Sequence, residues 1–394
     1  MSSEIAASPA ERDARLFAVK GRLVLDRELV PGALIVRDGR IADVLRDPTR
    51  AELPAAVHEA AVISPGFLDL QLNGGFGAEV SDSADAIRHL AARLPSTGVT
   101  AFLPTLVSSA PDVYPRACRA FLASRDAAGA RPLGLHLEGP FLSLQRAGAH
   151  RTAAIENAPA DVFDLFLEHD AVRLVTLAPE VAGGLDRIRR LCARGVVVSL
   201  GHTDASFDEL LRGIAAGATM VTHVYNAMSG FSHRAPGTVG AALVDDRVTV
   251  GLIADGAHCH PAAVRLAVRA KGPDRVALVT DAISGAGMGP GVYGLDGQDI
   301  QVDDVAKLPD GTLAGSVLTL DQAVRNVVNW TGTSVADACR MASEVPARVL
   351  GLSSKGRLAA GMDADLVLMG DDLSIQATYR DGRCVYRRED GGRL

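Results

Sequence analysis

Four side chains could do chemistry together: Glu138 in GLHLEGP, His202 in VVVSLGHTD, His223 in MVTHVYNA and Asp281 in RVALVTDA. Each comes at or near the end of a short apolar run. Two imidazoles and a carboxylate form a donor set for a catalytic divalent cation, which needs three protein ligands and an open position for water. A further carboxylate beside it is placed to take a proton from that water. Singly, each residue has a bland explanation. A histidine in an apolar run is more often a satisfied core residue, and an aspartate after a strand is often a helix N-cap. The combination reverses that balance, because four such groups at the edge of an apolar core would be costly unless they worked together. His136 lies two residues before Glu138 on the same strand face and is read as one layer deeper. His58, His89, His169 and His233 fall in loops or helical stretches and are read as surface residues.

The elements that carry these residues repeat a simple rhythm. Eight apolar runs occur in order: SPGFLDLQLNG, VTAFLPTL, PLGLHLEGP, VRLVTLAPE, VVVSLGHTD, MVTHVYNA, VTVGLIADG and RVALVTDA. Amphipathic stretches separate them, with helices expected at Ala84–Leu94, Val113–Ser124, Gly184–Ala193, Phe207–Ala216 and Ala262–Ala270. Eight βα units predict an α/β fold, a closed (β/α)8 TIM-like barrel whose active residues cluster where strands end. Both chain ends read differently. LFAVKGRLVL and ALIVRDGRIADVL flank Asp38-Gly39, and ADLVLMG precedes IQATYRDGRCVYR with Asp381-Gly382, each a hairpin signal. This grammar predicts one small β-sandwich domain from residues 16–63 and 358–394, a barrel over 64–357, and a disordered tail over 1–15.

Composition narrows the function. The net charge of −7 offers no basic footprint for nucleic acid, and aromatic residues at 4% offer no stacking platform for bases. No run approaches the ~20 apolar residues of a membrane span, and the polar N-terminus has no signal-peptide core. The five scattered cysteines include no CxxC pair, so they are read as free thiols in a reducing cytoplasm.

The motifs GLHLEGPF (Gly134–Phe141), GAH (Gly148–His150), GHTDA (Gly201–Ala205), THVYNAM (Thr222–Met228), IADGAH (Ile253–His258), LVTDA (Leu278–Ala282) and LAGS (Leu313–Ser316) occur in order. Together they resemble the N-acetylglucosamine-6-phosphate deacetylase family of the amidohydrolase superfamily, from about residue 16 to the end. The resemblance implies hydrolysis of the acetamide of an amino-sugar phosphate. Glu138, His202 and His223 would hold one divalent metal per subunit, with zinc favoured and iron, manganese or cobalt compatible. Asp281 would be the catalytic acid/base. The resemblance also makes Ala149 a substrate contact and places His150 near the sugar and carbonyl, and Asn226, Ala227, Arg234 and His258 at the phosphate. Leu313, Ala314 and Gly315 would close over the sugar or acetyl group. It implies a homodimer in which the arginine reaches across to the neighbouring subunit.

One departure stands out. Many amidohydrolases carry His-x-His at the end of the first barrel strand, where a second metal sits. Here Gln71 and Asn73 occupy those positions, and amides are poor ligands beside imidazole, so one metal is expected. Three alternatives stay open: the N-acetylgalactosamine 6-phosphate epimer as substrate, a deaminase or cyclic amidase, and an inactive barrel scaffold. The missing His-x-His and the absence of a strand-end lysine argue against the second. The intact ligand set argues against the third.

Overall fold

Eight apolar runs of the sequence become eight parallel strands: β1 Phe67–Leu72, β2 Val99–Leu106, β3 Leu135–Glu138, β4 Val172–Leu177, β5 Val197–Leu200, β6 Met220–Val221, β7 Thr249–Leu252 and β8 Val276–Leu278. In this computed structural model, which describes residues 16–80, 83–156, 158, 159 and 161–389, they pair in sequence order. The last meets the first just beyond the strand ends. There Asp281 N–H donates to Gln71 O at 2.9 Å and Asn73 N–H to Ala282 O at 2.8 Å. A strand between an inner core and outer helices is buried on both faces and is apolar throughout. All of Val99–Leu106 is buried.

The outer helices are set by local signals. Phe207–Ala215 starts from a capping box of Ser206 and Glu209, and its Leu210 and Ile214 face the barrel. Gly213 lets this helix come close, since a Cβ there would lie 2.9 Å from Leu200 Cδ1 on β5. The other expected helices are present at Ala84–Arg93, Val113–Ser124, Gly184–Ala193 and Pro261–Lys271.

Strands from both chain ends form one seven-stranded sheet. Leu16–Leu25, Glu28–Arg37, Arg40–Arg46 and Val57–Pro65 join Leu366–Met369, Ile375–Arg380 and Arg383–Arg387. Asp38-Gly39 and Asp381-Gly382 both turn with positive φ, as two-residue hairpins of this type require. The sheet curls until the two turns touch, and Phe17, Leu34, Ile63, Leu366 and Tyr379 share its core. His58 departs from expectation. It lies on the strand Val57–Pro65 and packs its ring 5.4 Å from Phe17, not in a loop.

A three-stranded antiparallel sheet (Gly291–Leu295, Gln298–Val302, Ala306–Lys307) follows β8, and helices Leu320–Thr331 and Val335–Ala342 come after it. This insertion is not among the elements expected from the sequence. The expected tail at 1–15 lies outside the described residues, as do 390–394. Among the described residues, no helix is long and apolar enough to cross a membrane.

Candidate active site

Glu138 ends β3, His202 and His223 follow β5 and β6 by two residues, and Asp281 follows β8 by three. All four are buried under one mouth of the barrel. His202, His223 and Asp281 adopt left-handed backbone, with φ of 47°, 24° and 51°. That region is costly for residues with a Cβ and is held only where surrounding structure enforces it, often at functional sites.

Three donor atoms converge. Glu138 Oε1 lies 3.1 Å from His223 Nε2 and 3.3 Å from His202 Nε2, and the two Nε2 atoms are 3.1 Å apart. Metal–ligand bonds of about 2.0–2.2 Å in a tetrahedron give donor–donor edges of about 3.3–3.6 Å. The observed triangle is within a few tenths of an ångström of that, so these residues fit a bound cation and could hold one. Burial works against Glu138's charge, but hydrogen bonds and charges of His202 and His223 outweigh it and hold its carboxyl well below the usual range. Burial likewise opposes a charged His223, yet Glu138 shifts it upward overall. A site that draws positive charge towards one carboxylate is suited to a cation.

His136 does not join this cluster. Its Nδ1–H donates to Leu70 O at 3.1 Å, and its Nε2 accepts from Thr176 Oγ1 at 2.8 Å. Burial pushes its pKa down to about 4, so it is neutral.

Asp281 stands apart from the triangle and is held by two amides. Gln71 Nε2 donates to Asp281 Oδ1 at 3.0 Å and to Glu138 Oε1 at 2.9 Å, and Asn73 Nδ2 donates to Asp281 Oδ1 at 2.7 Å. By sequence Gln71 and Asn73 are only lost ligands. Here they are donors that orient both carboxylates. Burial, and then the charge of Glu138, raise Asp281 to about 6.

The cavity above is about 290 Å³, at the small end for small-molecule sites. Ala149, His150, Asn226, Ala227, His258, Leu313 and Gly315 line it with the four buried groups. His150 is neutral, its pKa pushed down to about 3 by burial and then by His202. Its Nδ1 accepts from Ser108 N–H at 3.2 Å, so the ring proton sits on Nε2, 3.8 Å from Glu138 Oε2. Gly148 (φ 60°) lets this loop lie over His202, because a Cβ would come 3.2 Å from the imidazole. His258 is held by Asp255 Oδ2 at 2.7 Å from its Nδ1. Two expected contacts fall outside the cavity lining. Ala314 is buried with Ile283 and Ile300, and Arg234 is exposed on the loop between β6 and helix Gly237–Val244.

Barrel and donor triangle together define the class, a metal-dependent hydrolase of the amidohydrolase type. The Amidohydrolase family model matches residues 62–385. Human N-acetylglucosamine-6-phosphate deacetylase is 42% identical over 389 residues, covering 94% of this chain and 91% of its own. The Bacillus subtilis (strain 168) deacetylase is 35% identical over 387 residues, covering 94% and 97%. Among solved structures, a mutant of the Mycobacterium smegmatis deacetylase in complex with N-acetyl-D-glucosamine-6-phosphate superposes with a TM-score of 0.88. It is 36% identical and covers 94% of this chain and 99% of its own. The chain belongs to the amidohydrolase family, among its N-acetylglucosamine-6-phosphate deacetylases.

Proposed function

We propose that this chain hydrolyses the acetamide of N-acetylglucosamine 6-phosphate to glucosamine 6-phosphate and acetate, using one divalent cation held by Glu138, His202 and His223. The observation that carries this reading is the triangle of three donors with a separately held carboxylate beside it. A cation there would acidify a water and polarise the acetamide carbonyl. Asp281 accepts the proton of the attacking water and returns it to the leaving amine, which an unactivated amide could not expel. His150, neutral and with its proton on Nε2, donates to the oxygen on which charge develops. Zinc is the proposed cation, and iron, manganese and cobalt suit the same donors. The test is turnover of the 6-phosphates of N-acetylglucosamine and N-acetylgalactosamine beside their unphosphorylated forms. Preference for the galacto epimer, or no acetate from any of them, would overturn the assignment.

The amide donors of β1 lead to a stoichiometry. Gln71 and Asn73 could offer a second cation only amide oxygens, which are weak ligands beside imidazole. Metal analysis after dialysis is expected to return one cation per chain. Two per chain, both needed for activity, would contradict this.

For the phosphate, the proposed contacts are Asn226, Ala227 and His258 within the chain and Arg234 from a second copy. The exposure of Arg234 outside the cavity supports that reading, as do the exposed apolar residues Phe231, Val244 and Leu266 on or beside the neighbouring helices. The proposed assembly is a homodimer and the proposed location the cytoplasm, the latter in keeping with five free cysteines. A guanidinium can grip two phosphate oxygens, and a hydrogen bond to a charged group is worth about 1.5–3 kcal/mol. Arg234→Ala should therefore raise KM for the 6-phosphate about 10–100-fold and leave the slow reaction of the unphosphorylated sugar unchanged. Equal damage to both substrates would place the phosphate site elsewhere.

A further inference from the structure

The two imidazoles of the donor triangle are not held alike. His223 Nδ1 is buried without a hydrogen-bond partner among the described residues. His202 Nδ1–H donates to Arg146 O at 2.9 Å, which fixes its tautomer and turns the Nε2 lone pair towards Glu138 and His223. Arg146 lies on the loop after β3, and its own placement has a visible cause. Its Nε donates to Asp204 Oδ1 at 2.8 Å. Asp204 in turn is held from below. Its backbone N–H donates to Glu180 Oε1 at 2.7 Å, and Thr203 Oγ1 donates to Glu180 Oε2 at 2.5 Å. One carboxylate on the loop after β4 thus grips both residues that follow His202, where the chain leaves its left-handed turn. Three loops close a ring around one ligand.

We propose that Glu180 is a positioning residue for the cation: through Thr203, Asp204 and Arg146 it fixes the ring of His202. The proposal rests on the reading that Glu138, His202 and His223 hold the cation. Glu180 itself belongs neither to the donor triangle nor to the cavity lining. The Arg146–Asp204 pair is partly solvent-exposed, with side chains 39% and 45% accessible. Such pairs contribute little to global stability, so loss of the Arg146–Asp204 link should be felt at the metal before it is felt in the fold. Partners that orient a metal-ligating histidine typically govern affinity by 10–100-fold.

The experiment is a zinc titration of the metal-stripped full-length chain against a chelating dye. It compares the wild type with Glu180→Ala, Glu180→Gln and Asp204→Asn. Glu180→Ala is expected to weaken zinc binding about tenfold, the lower end of the range for groups that bond the ligand directly, because the Arg146 carbonyl stays and only its placement loosens. Glu180→Gln keeps one acceptor for Asp204 N–H or Thr203 O–H and should lose less. Asp204→Asn weakens the Arg146 link alone and should also fall between wild type and Glu180→Ala. Thermal midpoints of the metal-free proteins should agree within a few degrees. Added zinc should restore the kcat of Glu180→Ala, with KM for the 6-phosphate unchanged. Wild-type zinc affinity in Glu180→Ala would overturn the proposal, as would a loss of activity that zinc does not restore. If Glu180→Ala fails to fold, wild-type affinity in both Glu180→Gln and Asp204→Asn would overturn it. A wild type that binds no zinc would instead sink the underlying assignment of the donor triangle.

Discussion

Asp281→Asn is expected to keep its cation and its substrate affinity while kcat falls by about 10²–10⁴, the usual worth of a positioned general acid–base. The replacement is nearly isosteric and retains an oxygen for Gln71 and Asn73, so the pocket should keep its shape. What it removes is the capacity to accept a proton. Asp281 is suited to that role because burial, and then Glu138, lift it to about 6. A carboxylate with that pKa is ionised at neutral pH yet basic enough to carry a proton through the reaction. The sign with pH follows. Below its pKa the group is already protonated, so the wild-type kcat/KM should fall tenfold per unit on the acid side. That limb should lie no higher than about 6, since a neighbouring dication favours the ionised form. The variant should show no such limb. Metal content, substrate binding and a pH–rate profile make the check. If the variant loses its cation, Asp281 is a ligand and the proton must travel another way.

The barrel was legible because parallel strands buried on both faces leave unbroken apolar runs, as Val99–Leu106 does. The donor residues were legible for the converse reason. Each histidine or carboxylate alone has a bland explanation, but four of them at the ends of such runs have no cheap joint one. The orientation of Asp281 was not legible, because the residues that hold it are far away in sequence. Gln71 and Asn73 lie 210 and 208 positions from it and meet it only when β1 closes against β8. Beside the His-x-His motif they are simply missing imidazoles, and only the closed barrel shows what their amides do. Glu180 carries no local signal, since nothing in LAPE says that its carboxylate will cap the turn after His202. The inserted sheet did carry one. Asp296-Gly297 sits between two strands as Asp38-Gly39 and Asp381-Gly382 do, with the same positive φ at both residues. Its strands are short and only partly buried, which blurs the alternation that marked the other two hairpins.

Glu138→Ala should have the largest effect of any single change: no cation after dialysis and turnover at background, a loss beyond that of Asp281→Asn. Glu138 is the only anion in the donor triangle, and its Oε1 is the vertex that both imidazoles face at 3.1 and 3.3 Å. Without it, two neutral nitrogens and an alanine methyl would face a dication in a buried site, where an uncompensated charge is not tolerated. His223 would lose the partner that favours its charged form, and Gln71 would keep only Asp281 as acceptor. The substitution therefore also disturbs the base. Glu138→Gln separates these effects, because it preserves shape and one oxygen and removes only the charge. If charge holds the cation, Glu138→Gln should bind it far more weakly than wild type, while the metal-free protein melts as the metal-free wild type does. Should Glu138→Ala retain a full equivalent of tightly bound cation, the donor triangle is not the metal site. The chemistry would then have to be rebuilt around Asp281 and its two amides.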